Sequence, residues 1–312
     1  MILGVFDFFY QIIRTARPRQ WLKNLALVAP ALILDNILDV KVISSLIDGF
    51  IAFCLMSSGA YFINDIIDAP KDRIHPIKKN RPIASGKINI FFAWIIALLF
   101  IGGALLYSFI FNGNFFTIIL LIYILIQLLY STFLRNIIIL DSLTVASGFV
   151  LRVIAGGIVA EIAISSWLIL TTIALSLLLA FGKRRSEKTL LSETKVTSET
   201  RATLKNYPDN LLDSMITMSA TFCIVTYSFF TFQVSPELSL GRLKGFLPSS
   251  IDSPKWLMLT IPIVIYGIAR YLYVIYEKKQ GESPERVLLS DKPLFLTVLI
   301  WVVFVFFVNN LF

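Results

Sequence analysis

The chain has 312 residues, of which 57% are hydrophobic and only 15% charged, with a mean hydropathy of +0.79. A soluble domain carries about a quarter charged residues, so that class is excluded. Apolar runs of about 20 residues recur along almost the whole length, which predicts an all-α fold, a polytopic helical bundle in a membrane. The net charge of +8 fits inner loops and an affinity for anionic lipid or phosphate rather than nucleic acid. Cys54 and Cys223 both fall inside apolar runs and read as packing residues. With a single histidine, His75, a multi-histidine metal site is excluded.

In chain order, residues 1–20 read as an amphipathic segment lying on the membrane, because Gly4, Asp7, Gln11 and Arg14 recur at helical spacing among apolar residues. They do not read as a cleavable signal, since the cations follow the apolar stretch instead of preceding it. Nine spans are predicted, roughly 22–35, 42–63, 89–110, 115–133, 140–160, 164–182, 213–233, 255–276 and 292–311. An inner N-terminus puts most of the 28 Lys and Arg on one side, so the orientation is N-in, C-out across the inner (plasma) membrane. The whole chain, 1–312, is then one membrane-embedded domain. Two long charged inner loops, Asp65–Ile88 and Lys183–Leu212, form a cytoplasmic cap where chemistry is expected.

The first loop carries NDIIDAPKDRIHPIKKNRPIASG. Asn64, Asp68 and Asp72 are spaced four apart, which puts three oxygen donors on one helix face, with Asp65 beside them. Oxygen-only donors suit a hard ion such as Mg²⁺, held by one or two carboxylates plus substrate phosphates. The cations that follow are what a phosphorylated substrate needs. The local reading is a metal–pyrophosphate site at a membrane surface.

This NDxxDxxxD motif, followed by an RPxxxG segment after the second predicted span, resembles the UbiA superfamily of intramembrane prenyltransferases. The resemblance implies that Asn64, Asp68 and Asp72 bind Mg²⁺ and a diphosphate with support from Asp65, and that Arg73, Lys78 and Arg81 neutralise phosphate oxygens. The second loop departs from the pattern of members that prenylate aromatic rings. In place of a second aspartate-rich motif it reads FGKRRSE, with Lys183, Arg184 and Arg185 before Glu187. Together with RPRQWLKN at 17–24, YSTFLR at 130–135 and LDSLTVASGFVLRVIAG at 140–156, this resembles the branch of the superfamily that moves phosphoribose onto a polyprenyl phosphate. The resemblance implies phosphoribosyl pyrophosphate and a polyprenyl phosphate as partners, and extends the substrate-binding set to Lys23, Tyr130, Arg135, Lys183, Arg184 and Glu187. Two highly anionic partners call for more cations and fewer carboxylates, which agrees with the departure.

Arg152 stands in the middle of a span, eleven residues after Asp141, and is expected to line a polar substrate cavity with it or to pair with other helices. Arg270, nearer a helix end, reads as structural. Tyr61 and Tyr227 read as packing residues, and His75 as a loop hydrogen-bonding residue or a phosphate contact. A ring prenyltransferase and a membrane transporter remain as rival functions. The transporter fits less well, because its site belongs near the midplane and these polar residues sit on one side.

Overall fold

The computed structural model describes residues 2–34, 37–75, 78–193, 204, 206–235, 255–278 and 284–311. The described residues form helices and turns, with no strand. The long helices alternate in direction, so the C-terminal ends of α3 (Val40–Ile74), α5 (Gly113–Thr132) and α7 (Ser166–Glu193) gather on one side. The intervening α4 (Ile90–Phe111) and α6 (Leu140–Val159) run the other way. After them come α8 (Asp209–Val234), α9 (Ile261–Tyr276), the short α10 (Pro284–Ser290) and α11 (Lys292–Leu311).

Among the described residues, eight helical segments are long and apolar enough to cross a membrane. The ninth predicted span, 22–35, is built differently. Pro18–Val28 is a 3₁₀ segment, and only Ala29–Leu34, here α2, is α-helical. Arg19, Gln20, Lys23 and Asn24 in the first half explain why no continuous apolar helix forms. The segment is seated on α6 by a close backbone approach at Gly156, where a side-chain carbon would lie 1.9 Å from the Leu27 carbonyl oxygen. A residue without a Cβ is required there.

The two charged loops are a further correction, because each begins as helix. α3 spans 35 residues and α7 spans 28, or about 52 and 42 Å at 1.5 Å per residue. Both exceed a hydrocarbon core of about 30 Å. Asn64–Ile74 and Lys183–Glu193 are therefore the overrunning ends of membrane helices, α3 continuing through Pro70. After α3 the chain turns through Ala84–Gly86, with Gly86 at φ 78°. Of the expected second loop, residues 194–203 and 205 lie outside the described residues.

The N-terminal segment is helical as expected, α1 covering Ile2–Ala16 and packing on α3. Gln11 and Thr15 are buried while Phe6, Phe9, Tyr10 and Ile13 are more than half exposed, so its apolar side faces away from the protein. That is the arrangement of a helix set into a bilayer surface. Cys54 and Cys223 are buried free thiols. Arg270 forms a two-pronged pair with Asp291 at 2.9 and 3.0 Å, joined by Lys278 at 2.7 Å, which ties α9 to the start of α11. Those hydrogen bonds hold the Asp291 carboxyl well below the usual carboxylate range. Tyr227 bonds Thr260 and Trp301 between helices, a packing role.

Candidate active site

The overrun of α3 carries the acidic face. Each of its three carboxylates is met by an arginine from a different part of the chain. Asp65 is buried and pairs with Arg17 and, at 3.2 Å, with Arg81. Arg81 also reaches Asp72 at 2.6 Å, and Arg135 reaches Asp68 at 2.6 Å. Asn64 Oδ1 accepts a hydrogen bond from Ser131 Oγ at 3.2 Å. The arginines are between 18% and 27% exposed, so the cluster opens to one side. Arg17 adopts a left-handed backbone conformation, φ 55° and ψ 62°. Its guanidinium lies over the Tyr61 ring, 4.9 Å from the centroid, one helical turn before Asp65. The following Pro18 starts the 3₁₀ segment and fixes this entry.

The overrun of α7 carries a different arrangement. Successive helical residues are rotated by about 100°, so three adjacent cations diverge. Arg184 points inward, 3% exposed, and pairs with Asp141 at 2.6 Å and Glu187 at 2.8 Å. Its Nη2 also donates to Tyr130 Oη at 3.2 Å. Arg185 turns to Asp213 and Asp209 on α8. Lys183 is the most exposed of the three at 32%, 3.8 Å from Glu187. The expectation that Lys183 and Arg184 act alike is corrected: Arg184 is committed to two carboxylates inside the protein.

The end of α5 joins the two halves. Tyr130 meets Arg184, Ser131 meets Asn64, and Arg135, just beyond the helix, meets Asp68. Three of the six residues of the YSTFLR segment thus bridge the acidic face and the buried arginine.

Other predicted residues are placed as follows. His75 closes α3, its Nδ1 accepting from the Lys78 backbone N–H at 3.2 Å, and burial together with the nearby Lys78 charge lowers its pKa. Lys78 is half-buried in the turn beyond it. Arg73 is exposed and makes no bond to the acidic face among the described residues. Lys23 is half-buried on the 3₁₀ segment, next to Asn24.

Arg152 is not brought to this site. Its guanidinium is buried, donating to Asn24 Oδ1 at 2.7 Å, the Gly148 carbonyl at 2.7 Å and Tyr123 Oη at 3.0 Å. Phe53, Tyr123 and Phe149 surround it with ring faces. The reading of Arg152 and Asp141 as one cavity lining is corrected, because Asp141 faces Arg184 while Arg152 ties the 3₁₀ segment to α5 and α6.

Two participants were not singled out in the sequence. Arg17 stood within the RPRQWLKN motif, which was its only signal. Tyr207 had none. It lies beyond the second charged stretch, fully buried, and donates to Asp141 Oδ1 at 2.5 Å while accepting from the Ile139 N–H at 2.6 Å. Burial and the hydrogen bond to Asp141 push its phenol up to about 12, so it stays a donor at neutral pH.

The oxygen donors suit a hard cation, yet among the described residues no three carboxylate, histidine or cysteine groups lie close enough together to hold one by themselves.

The chain is a bundle of membrane helices with an acidic face on one overrunning helix, and sequence comparison places it in a class of intramembrane transferases. The profile of the UbiA prenyltransferase family matches residues 26–186, and the chain belongs to that family. It is 34% identical over 295 residues to the decaprenyl-phosphate phosphoribosyltransferase of Mycolicibacterium smegmatis, covering 93% of this chain and 90% of that one. To the protein of the same name from Corynebacterium glutamicum it is 31% identical, covering 93% and 84%. The fold is similar to that of a UbiA homolog from Archaeoglobus fulgidus solved with GPP and Mg²⁺, with a TM-score of 0.69 at 16% identity over 96% of this chain and 99% of that chain. The chain is thus an integral, multi-pass membrane protein of the UbiA family.

Proposed function

We propose that this protein transfers 5-phosphoribose from phosphoribosyl pyrophosphate to a polyprenyl phosphate, giving polyprenyl-phosphoryl 5-phosphoribose and pyrophosphate. The similarity to phosphoribosyltransferases over 93% of the chain supports this reading. The observation that carries it is the charge arrangement. Three arginines meet the three carboxylates of the acidic face, and the second half offers Lys183 where a ring prenyltransferase has a second acidic motif. Cations in that number suit two anionic substrates.

Bound Mg²⁺, with Asn64, Asp68 and Asp72 as its protein ligands, supplies charge stabilisation for the departing pyrophosphate. The rest falls to the protein. Arg81, released from Asp72, and Arg135, released from Asp68, take phosphate oxygens. Asp65 stays buried between Arg17 and Arg81 and orients them. The C1–O bond to pyrophosphate breaks with its electron pair leaving on oxygen, and a lipid phosphate oxygen forms the new bond to C1 from the opposite face. The acceptor is already an anion, so no general base is required, and His75 has no proton to remove. The isoprenoid tail remains in the bilayer beside the bundle, and the site faces the cytoplasm by the positive-inside asymmetry of the loops.

The test uses purified protein, Mg²⁺, labelled phosphoribosyl pyrophosphate and a long-chain polyprenyl phosphate. A butanol-extractable labelled lipid with stoichiometric pyrophosphate is expected, and no prenylation of 4-hydroxybenzoate. A prenylated aromatic with no pyrophosphate released from the sugar donor overturns the proposal.

A further inference from the structure

The residue before α6 carries an unusual backbone. Ile139 has φ 70° and ψ −51°, and the Leu140 N–H donates to the Ile138 carbonyl at 2.9 Å. That is a three-residue γ-turn centred on a β-branched side chain, a rare and strained form. Strain of this kind costs about 1–3 kcal/mol and persists only where the surroundings over-determine it.

Here Ile138 and Ile139 pack against the core, and one hydroxyl bonds the turn directly. Tyr207 Oη accepts the Ile139 N–H and donates to Asp141 Oδ1, gripping the turn from both sides. Asp141 Oδ2 takes Arg184 Nε, and Arg184 takes Glu187 and Tyr130. Tyr130 precedes Ser131, the partner of Asn64. A continuous hydrogen-bonded path therefore runs from Tyr207 to the residue next to the acidic face. Lys188 Nζ holds the Tyr207 carbonyl at 2.5 Å, so the tyrosine is also fixed to α7 itself.

We propose that Tyr207 is a positioning residue of the transferase site: its hydroxyl sets the Ile139 turn and Asp141, and through them Arg184 and Tyr130, whose chain neighbour Ser131 bonds Asn64 where the diphosphate is proposed to bind. The inference rests on the proposed function for the diphosphate. The same helix provides a built-in control. On its outer side, Tyr276 Oη donates to Asp213 at 2.8 Å and Asp213 takes Arg185, the same three residue types in the same order. That triad touches no strained turn and leads away from Tyr130.

Full-length wild type, Tyr207→Phe and Tyr276→Phe are placed in lipid nanodiscs. Mg²⁺–pyrophosphate binding, melting temperature and amide exchange at residues 138–144 are measured. Tyr207→Phe strands the Ile139 N–H and leaves Asp141 Oδ1 only a 3.4 Å contact from Ser142. Its affinity for Mg²⁺–pyrophosphate is expected to fall about tenfold, with faster exchange at 139–141, and that of Tyr276→Phe to stay within about twofold. Equal affinity losses in the two variants at equal melting temperatures, or unchanged affinity or exchange in Tyr207→Phe, overturn the positioning role. A wild type that fails to bind Mg²⁺–pyrophosphate overturns the function on which the role rests, and is recognised because the unmutated protein is itself silent.

Discussion

The two helix overruns hold similar charges in opposite ways. On α3 the pairs open on their arginine side, 18–27% exposed, while Asp65 and Asp72 are buried and Asp68 is the most exposed of the three carboxylates. On α7 the Arg184–Asp141 pair is 3% exposed on both sides. An ion pair near solvent contributes little and exchanges partners easily. A buried pair is costly to assemble, and breaking one side of it is strongly destabilising. The first arrangement can thus open to accept a metal and a diphosphate, and the second stays fixed while it does so.

The sharpest way to break this contrast is at Asp68 or Asp72. Alanine at either is expected to lower turnover on the order of 10²–10³-fold, the scale of losing one group that stabilises transition-state charge. The melting temperature should barely move, because the partners left behind can reach solvent. Excess chelator should reproduce the loss, and full turnover with chelator present would remove the metal from the site.

Arg184→Ala should show the reverse profile. It removes the counter-charge of the buried Asp141, and a broken buried pair costs about 3–5 kcal/mol, visible as a large drop in melting temperature. A variant as stable as wild type but weak in substrate binding would return Arg184 to the role of a phosphate contact.

Lys183→Ala is expected to raise the donor KM several-fold, by about the strength of one charge-assisted hydrogen bond, with stability intact. Lys278→Ala, equally on the inner side but bonded to Asp291, should leave KM unchanged. Identical kinetics for both would reduce the α7 cations to a topology signal.

The smallest effect concerns His75. Its lowered pKa means that the imidazole is neutral at pH 7, as its Nδ1 acceptor role requires. The folded state then favours the uncharged form, so any stabilisation from His75 is present above its unfolded pKa of about 6.5 and fades as pH falls below it. His75→Gln should flatten that part of the stability profile and leave the pH–rate profile between pH 7 and 8 untouched.

The acidic face was legible in the sequence because its spacing is a local helical property, and the helix that realises it is α3 itself. Tyr130 and Arg135 were legible through their motif. The inward turn of Arg184 was not, since three adjacent cations look alike until packing decides which one is buried. Arg17 meets Asp65 across 48 residues of chain, and no periodicity reports such a pairing. Tyr207 lies in a stretch without pattern, and only the fold brings it to Ile139. The split of the first predicted span into a 3₁₀ segment and a short helix follows from polar residues whose partners, such as Arg152 for Asn24, arrive from elsewhere.

That split segment has a consequence for how the protein is made. Pro18–Val28 is too polar and too poorly hydrogen-bonded to enter lipid as an independent span, since irregular backbone survives at membrane depth only when protein encloses it. Its enclosure comes from α3, where Ser58, Cys54 and Ser57 meet Trp21 and Asn24, and is completed by Arg152 and the bare backbone at Gly156 on α6. The ribosome delivers α6 long after the segment has left the tunnel. The earliest-synthesised piece of the site must therefore wait at the membrane surface, held by α1 and α3, and complete its docking late. Full enclosure of the segment is thus complete only once α6 is made, although the Arg17–Asp65 contact needs α3 alone.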